Sequence, residues 1–125
     1  MAKLLLVEDD EFSRDFLARR LERSGYEVFS AADGRESLRC ARLHRPDLIL
    51  MDLDMPVMDG KTAIRHLRID PRTSRIPIIV LTAHTSNEEV ADAARAGCQA
   101  FEAKPVVFRR LLDRIAEILE LNGHP

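Results

Sequence analysis

Apolar positions follow two rhythms along this chain, and their alternation describes most of an architecture. Lys3-Leu4-Leu5-Leu6-Val7, residues 48–51 and residues 76–81 are short apolar runs without polar alternation, bounded by charges or turns. Such runs read as strands covered on both faces of a parallel sheet. Residues 26–31 and 100–103 make two further strands; the former is weaker and more alternating, as suits a sheet edge.

Between these runs the spacing becomes helical. A first helix follows the acidic turn Glu8-Asp9-Asp10-Glu11 to about Ser24, with Phe12, Phe16, Leu17 and Leu21 on one face and Gly25 as its stop. Asp33-Gly34-Arg35-Glu36 has capping-box spacing and opens a second helix, with Leu38 and Ala41 inward, that must end before Pro46. Met55-Pro56 forbids helix until Gly60, so a loop overhangs the end of the third strand. The third helix runs from Gly60 to Leu67, carries Ile64 and Leu67 inward, and Asp70-Pro71 marks its end. Pro77 is tolerable only near the start of the fourth strand. Ser86-Asn87-Glu88-Glu89 is a second capping-box spacing, opening an Ala-rich helix that Gly97 closes. The last helix, 106–121, places Phe108, Leu111, Leu112, Ile115, Ile118 and Leu119 at helical spacing.

Five strands alternating with five helices over short connections predict an α/β fold: a doubly wound domain with a largely parallel sheet. Residues 1–125 read as one domain, without internal repeat or linker. Right-handed crossovers bring every strand's carboxyl end to the same edge, where ligands collect in such sheets. Glu8, Asp9, Asp52, Thr82 and Lys104 all stand at those ends.

Composition changes this picture little. The content is 46% hydrophobic and 32% charged, and the net charge of −2 gives no electrostatic reason to expect direct nucleic-acid binding. The N-terminal apolar run stops at Val7, too short for a signal sequence, and no stretch approaches a membrane span, so the expected location is cytoplasmic. Cys40 and Cys98 have neither metal-ligand nor redox spacing and read as two reduced thiols.

The chemistry lies in the residues at the sheet edge. Carboxylates converging about 4 Å apart repel by roughly 4 kcal/mol per pair at an effective dielectric near 20, so a cation must sit among them. Oxygen-only ligands suit a hard divalent ion, and few protein ligands with several waters suit Mg²⁺ better than Ca²⁺. Lys104 adds a cation able to pair with Asp52 or an anion attached to it, and the Thr82 hydroxyl can donate to a phosphoryl oxygen. Together these parts describe a phosphoryl-transfer site with Asp52 as the nucleophile.

Val7-Glu8-Asp9-Asp10, Met51-Asp52-Leu53-Asp54-Met55-Pro56 through Asp59-Gly60, Leu81-Thr82-Ala83 and Ala103-Lys104-Pro105 resemble the signature set of bacterial response-regulator receiver domains, across essentially the whole chain. The resemblance implies a flavodoxin-like (βα)5 sandwich with strand order 2-1-3-4-5. It implies that Asp52 is the phosphoacceptor, taking its group from a sensor histidine kinase or a histidine phosphotransfer protein. Mg²⁺, or Mn²⁺, would be held by the Glu8, Asp9 and Asp52 carboxylates, Glu8 largely through water, and by the Asp54 backbone carbonyl. Lys104 would contact the phosphoryl group, and the Lys104-Pro105 bond is expected to be cis. Thr82 and Phe101 would form the switch, while the Asp54 and His84 side chains would tune the lifetime of the phosphoryl group.

After the last helix only Asn122-Gly123-His124-Pro125 remain, so the expectation is a receiver domain without an output domain. Such a chain would signal to a downstream protein effector through its fourth helix, fifth strand and fifth helix, as a monomer or a weak phosphorylation-dependent dimer. His44, His66 and His124 are expected to face solvent, leaving the phosphodonor to another protein. Two other readings compete. Asp52-Leu53-Asp54 after an apolar strand also resembles a phosphatase of the haloacid dehalogenase type, in which the second Asp is the acid/base. A flavodoxin-like FMN module is disfavoured by the absence of Trp and of a Ser/Thr/Gly-rich phosphate loop.

Overall fold

The computed structural model describes residues 1–123. Its strands are β1 (Lys3–Val7), β2 (Glu27–Ala31), β3 (Leu48–Asp52), β4 (Ile78–Thr82) and β5 (Ala100–Ala103). They alternate with α1 (Glu11–Arg23), α2 (Gly34–His44), α3 (Gly60–Ile69), α4 (Asn87–Ala96) and α5 (Phe108–Leu121). All neighbouring strands pair in parallel, in the order β2-β1-β3-β4-β5.

Alternate side chains on each strand feed two separate cores. Leu5, Val7, Ile49, Met51, Ile78 and Val80 meet α2, α3 and α4 through Ala41, Ala63, Ile64, Leu67 and Ala93. Leu4, Leu6, Leu48, Leu50, Ile79 and Leu81 meet α1 and α5 through Leu21, Leu111, Ile115, Ile118 and Leu119. Every residue of β3 and β4 is buried, which is why those runs show no polar alternation.

Helix starts are fixed by side chains. Ser13, Glu36, Thr62 and Glu89 N–H groups donate to Asp10, Asp33, Asp59 and Ser86 respectively, each satisfying one of the orphan donors of a first turn. Glu36 returns a contact at α2, accepting the Ala32 N–H at 3.1 Å, so the box closes one residue before the cap. Helix α5 has no side-chain cap and begins at Phe108, two residues later than the expected start at 106, with Val107 still extended.

Three expectations need correction. Phe12 and Phe16 do not share the burial of Leu21: they are 79% and 56% exposed, because only the later turns of α1 lie over the sheet. Helix α3 continues to Ile69, stopping only at Asp70, the residue that Pro71 disfavours in a helix. His44 is half-buried and stacks on Phe29 with ring centroids 4.0 Å apart, whereas His66 is exposed. His124 lies outside the described residues.

Candidate functional site

The register sets the site. β1 ends level with β3 at Val7 and Met51, Asp52 pairs with Leu81, and Thr82 pairs with Ala103. Glu8, Asp52, Thr82 and Lys104 therefore emerge at one edge from four adjacent strands. Asp52 is 3% exposed and Thr82 is fully buried.

The Lys104 ammonium lies 3.1 Å from Asp52 Oδ2 and 3.1 Å from Glu8 Oε1, bridging the two carboxylates. Burial pushes the Glu8 pKa up, and the neighbouring Asp52 charge pushes it further, while Lys104 opposes both. For Lys104 burial pulls the pKa down, but Asp52 and Glu8 outweigh it and leave it raised. The ammonium is held charged by its two partners.

Glu8, Asp9 and Asp52 can bring one carboxylate oxygen each within 4.8 Å of one another. This is an all-oxygen donor set with one exposed member, Asp9. It fits a hard divalent cation that keeps part of its hydration shell. Asp10, by contrast, is spent on capping α1: the Ser13 N–H holds its carboxyl below the usual aspartate range. Arg14 donates to the Glu8 carbonyl at 2.9 Å and pins the acidic turn, a contact that the sequence pattern did not reveal.

The loops above the edge are tightly built. The Asp54 N–H donates to Asp52 Oδ1 at 3.1 Å, fixing the carboxylate that faces Lys104 on its other oxygen. Gly60 passes so close to the end of β3 that an added Cβ would stand 2.4 Å from the Asp52 carbonyl oxygen. Val57 adopts φ 71° while Met58 N–H donates to the Pro56 carbonyl, a γ-turn in a conformation costly for a β-branched residue. The Lys104-Pro105 bond is cis.

The Thr82 hydroxyl accepts the His84 N–H at 2.9 Å. His84 Nε2 lies 3.2 Å from Asp54 Oδ2, joining the loops after β3 and β4 across the mouth of the site, with both side chains more than half exposed. Sequence spacing placed each residue near Asp52 but gave no sign that they touch. Phe101 is half-buried and packs against the α2–α4 core.

A groove of about 290 Å³ runs from Glu8 and Lys104 along α1 to the start of α5. Phe12 and Phe16 stack along it with centroids 6.3 Å apart, and the Arg20 guanidinium lies 4.0 Å from the Phe108 ring centroid. The recurrence of Phe at positions 12 and 16 was the available signal, and an assumption of burial hid it.

Residues 4–116 match the family model described as the response regulator receiver domain. The chain belongs to this family. It is 34% identical to the polar-differentiation response regulator DivK of Brucella anthropi, over 93% of this chain and 94% of that protein. It is 40% identical to the transcriptional regulatory protein AfsQ1 of Streptomyces coelicolor, over 95% of this chain but only 52% of that regulator. Among solved structures, the chemotaxis protein CheY4 of Vibrio cholerae superposes with a TM-score of 0.89 at 36% identity, covering 94% of this chain and 98% of that one. The receiver domain of the sensor histidine kinase PA1611 from Pseudomonas aeruginosa, which holds a magnesium ion in its active-site cleft, gives 0.82 at 38% identity, covering 91% and 93%.

The chain is thus a receiver domain of two-component signalling, a phosphorylation-dependent switch rather than an enzyme acting on a released substrate. Receiver domains take their phosphoryl group from histidine kinases and pass the signal to downstream effectors. The dehalogenase-type alternative finds no support: the family model that matches is the receiver domain, and Asp54, the carboxylate it needs as acid/base, is paired with His84. Among the described residues, no helix is long and apolar enough to cross a membrane.

Proposed function

We propose that Asp52 accepts a phosphoryl group from a phosphohistidine on a sensor histidine kinase or histidine phosphotransfer protein, and that the modified site is read by a downstream protein effector. The observation that carries this reading is the Asp52 carboxylate, buried at the end of β3 and bridged to Glu8 by Lys104. An Asp52 oxygen would form the new bond to phosphorus as the bond to the donor's imidazole nitrogen breaks. Lys104, already within bonding distance of Asp52, would hold an oxygen of the transferred group.

Glu8, Asp9, Asp52 and the Asp54 carbonyl are the groups that would hold Mg²⁺ or Mn²⁺, and the bound ion would offset the charge that the phosphoryl group adds. The donor would approach over the exposed Phe12 and Phe16, which flank the groove leading to Glu8 and Lys104. The Thr82 hydroxyl, which accepts from the His84 N–H, is free to donate its own proton to a phosphoryl oxygen. In turning toward that oxygen it would leave space on the core side of β4 for Phe101, which pairs on β5 with Val80, two residues before Thr82. The α4-β5-α5 face would then change for the effector, in a monomer or a phosphorylation-dependent dimer. Asp54 and His84 would set how readily water reaches the acyl phosphate.

Beryllofluoride, a phosphoryl mimic, tests the switch. Added with Mg²⁺ it should shift the amide resonances of Thr82, His84 and Phe101, and the Asp52→Asn variant should show none of these shifts. Unchanged spectra in the wild-type protein would refute the proposal.

A further inference from the structure

On the side of the molecule formed by α2 and α3, three arginines stand on one face of α2 at positions 35, 39 and 42, and all three are exposed. Helix geometry sets the first two about 6 Å apart and the outer two about 10.5 Å apart along the axis. They line a shallow recess of about 420 Å³ together with Asp33 and Glu36. Those two acids are committed elsewhere, each accepting a backbone N–H at the start of α2. Arg35 and Arg39 have no ion pair or side-chain hydrogen bond among the described residues, and Arg42 reaches only Asp70, at 3.7 Å. Long cationic side chains with helical spacing ordinarily find i,i+4 acidic partners, which relieve their mutual repulsion. Here no arginine of the row has an acid four residues away, and Glu36, three residues before Arg39, accepts the Ala32 N–H instead, in a chain whose net charge is −2.

A second observation falls on the same surface. Leu43 and Ile69 are 73% and 77% exposed, at the ends of α2 and α3. Each is the chain neighbour of a member of the Arg42–Asp70 pair, so the helix ends that carry them lie at the same end of the face. The surface thus offers a row of three arginines, two of them without an ion pair among the described residues, that ends near two exposed apolar side chains.

We infer that this α2–α3 face docks an acidic peptide segment of a partner protein, with carboxylates on the arginine row and an apolar side chain against Leu43 and Ile69. The spacing suits an extended strand, in which alternate residues lie about 6.6 Å apart, close to the separation of Arg35 and Arg39. Guanidinium groups take carboxylates in paired hydrogen bonds, so each register position is directional as well as charged. The arginine row lies outside the phosphoryl site, so docking does not require a modified Asp52.

The probe is a fluorescein-labelled glutamate-rich peptide carrying two leucines, titrated with the full chain at low salt and followed by anisotropy. Binding should weaken at least tenfold in the double variant Arg35→Gln, Arg39→Gln and several-fold in Leu43→Ala, Ile69→Ala. It should be unchanged in Arg19→Gln, Arg23→Gln, which removes equal charge from exposed positions of α1, and in Asp52→Asn. Circular dichroism checks that each variant is folded. No saturable binding, equal loss in the α1 control, or equal binding of a lysine-for-glutamate peptide would overturn the inference. So would concentration-dependent self-association lost in the Arg35→Gln, Arg39→Gln variant, because the occupant would then be a second copy of this chain.

Discussion

Lys104 Nζ stands 3.1 Å from Asp52 Oδ2, and the same ammonium is 3.1 Å from Glu8, so one cation just beyond β5 bridges two carboxylates delivered by the ends of β3 and β1. Removing it should leave two largely buried carboxylates facing each other beside Asp9. Lys104→Met is expected to lose about 1–3 kcal/mol of stability in chelator-treated protein. Mg²⁺ should restore more of that loss than it adds to the wild type, because the vacated charge must be replaced. Urea denaturation with and without Mg²⁺ measures both, and equal gains in the two proteins would contradict the arrangement.

At Gly60 the decisive feature is room. A Cβ there would meet the Asp52 carbonyl oxygen at 2.4 Å and Leu53 Cα at 2.7 Å, both backbone atoms that cannot swing away. Gly60→Ala should therefore cost at least the 1–3 kcal/mol typical of overpacking and should displace the Asp52 carboxylate. A variant of wild-type stability, with unchanged Asp52 and Asp54 resonances, would show that the loop is looser than its contacts imply.

Val57 carries strain that no contact requires it to bear, since its side chain is mostly exposed. An L-residue in the left-handed region costs roughly 1–2 kcal/mol, which glycine avoids. Val57→Gly should recover up to about 1 kcal/mol of stability despite its greater unfolded-state entropy. A lower urea midpoint would indicate that the γ-turn is not retained.

The sequence rhythm identified all ten elements, because the three central strands β1, β3 and β4 are buried on both faces and each of the first four helices begins at a capping side chain or its turn. What it misjudged was the orientation of residues at helix ends. Phe12 and Phe16 fit the same periodic face as Leu21, yet periodicity cannot show how far a sheet extends beneath a helix. The residues at the strand ends were legible because parallel topology sends them to one edge. The Asp54–His84 and Lys104–Glu8 contacts were not, because they join loops whose approach depends on the folded backbone. Arg68 was missed for a similar reason. It donates to the carbonyls of Gly97, Ser74 and Ile76 and to the Gln99 side chain, acceptors assembled only in the fold.

The turn after α3 should make a small contribution to stability that is lost in acid. Arg72 donates two side-chain hydrogen bonds and its backbone N–H to Asp70, holding that carboxyl below the ordinary aspartate value of about 3.9. A lowered folded pKa contributes stability that is fully present above the unfolded value and lost as pH falls through the folded one. The difference in melting temperature between the wild type and Asp70→Asn should be constant near neutrality and close as pH drops below about 3.9. A difference that instead widens on acidification would reverse the assigned sign.

The central claim concerns Asp52, and intact-mass analysis after incubation with acetyl phosphate and Mg²⁺ tests it most directly. The account expects one added phosphoryl group, mapped to Asp52 by peptide analysis, absent in Asp52→Asn and absent when the divalent ion is chelated. An unmodified wild-type mass, or the same modification in Asp52→Asn, would contradict it.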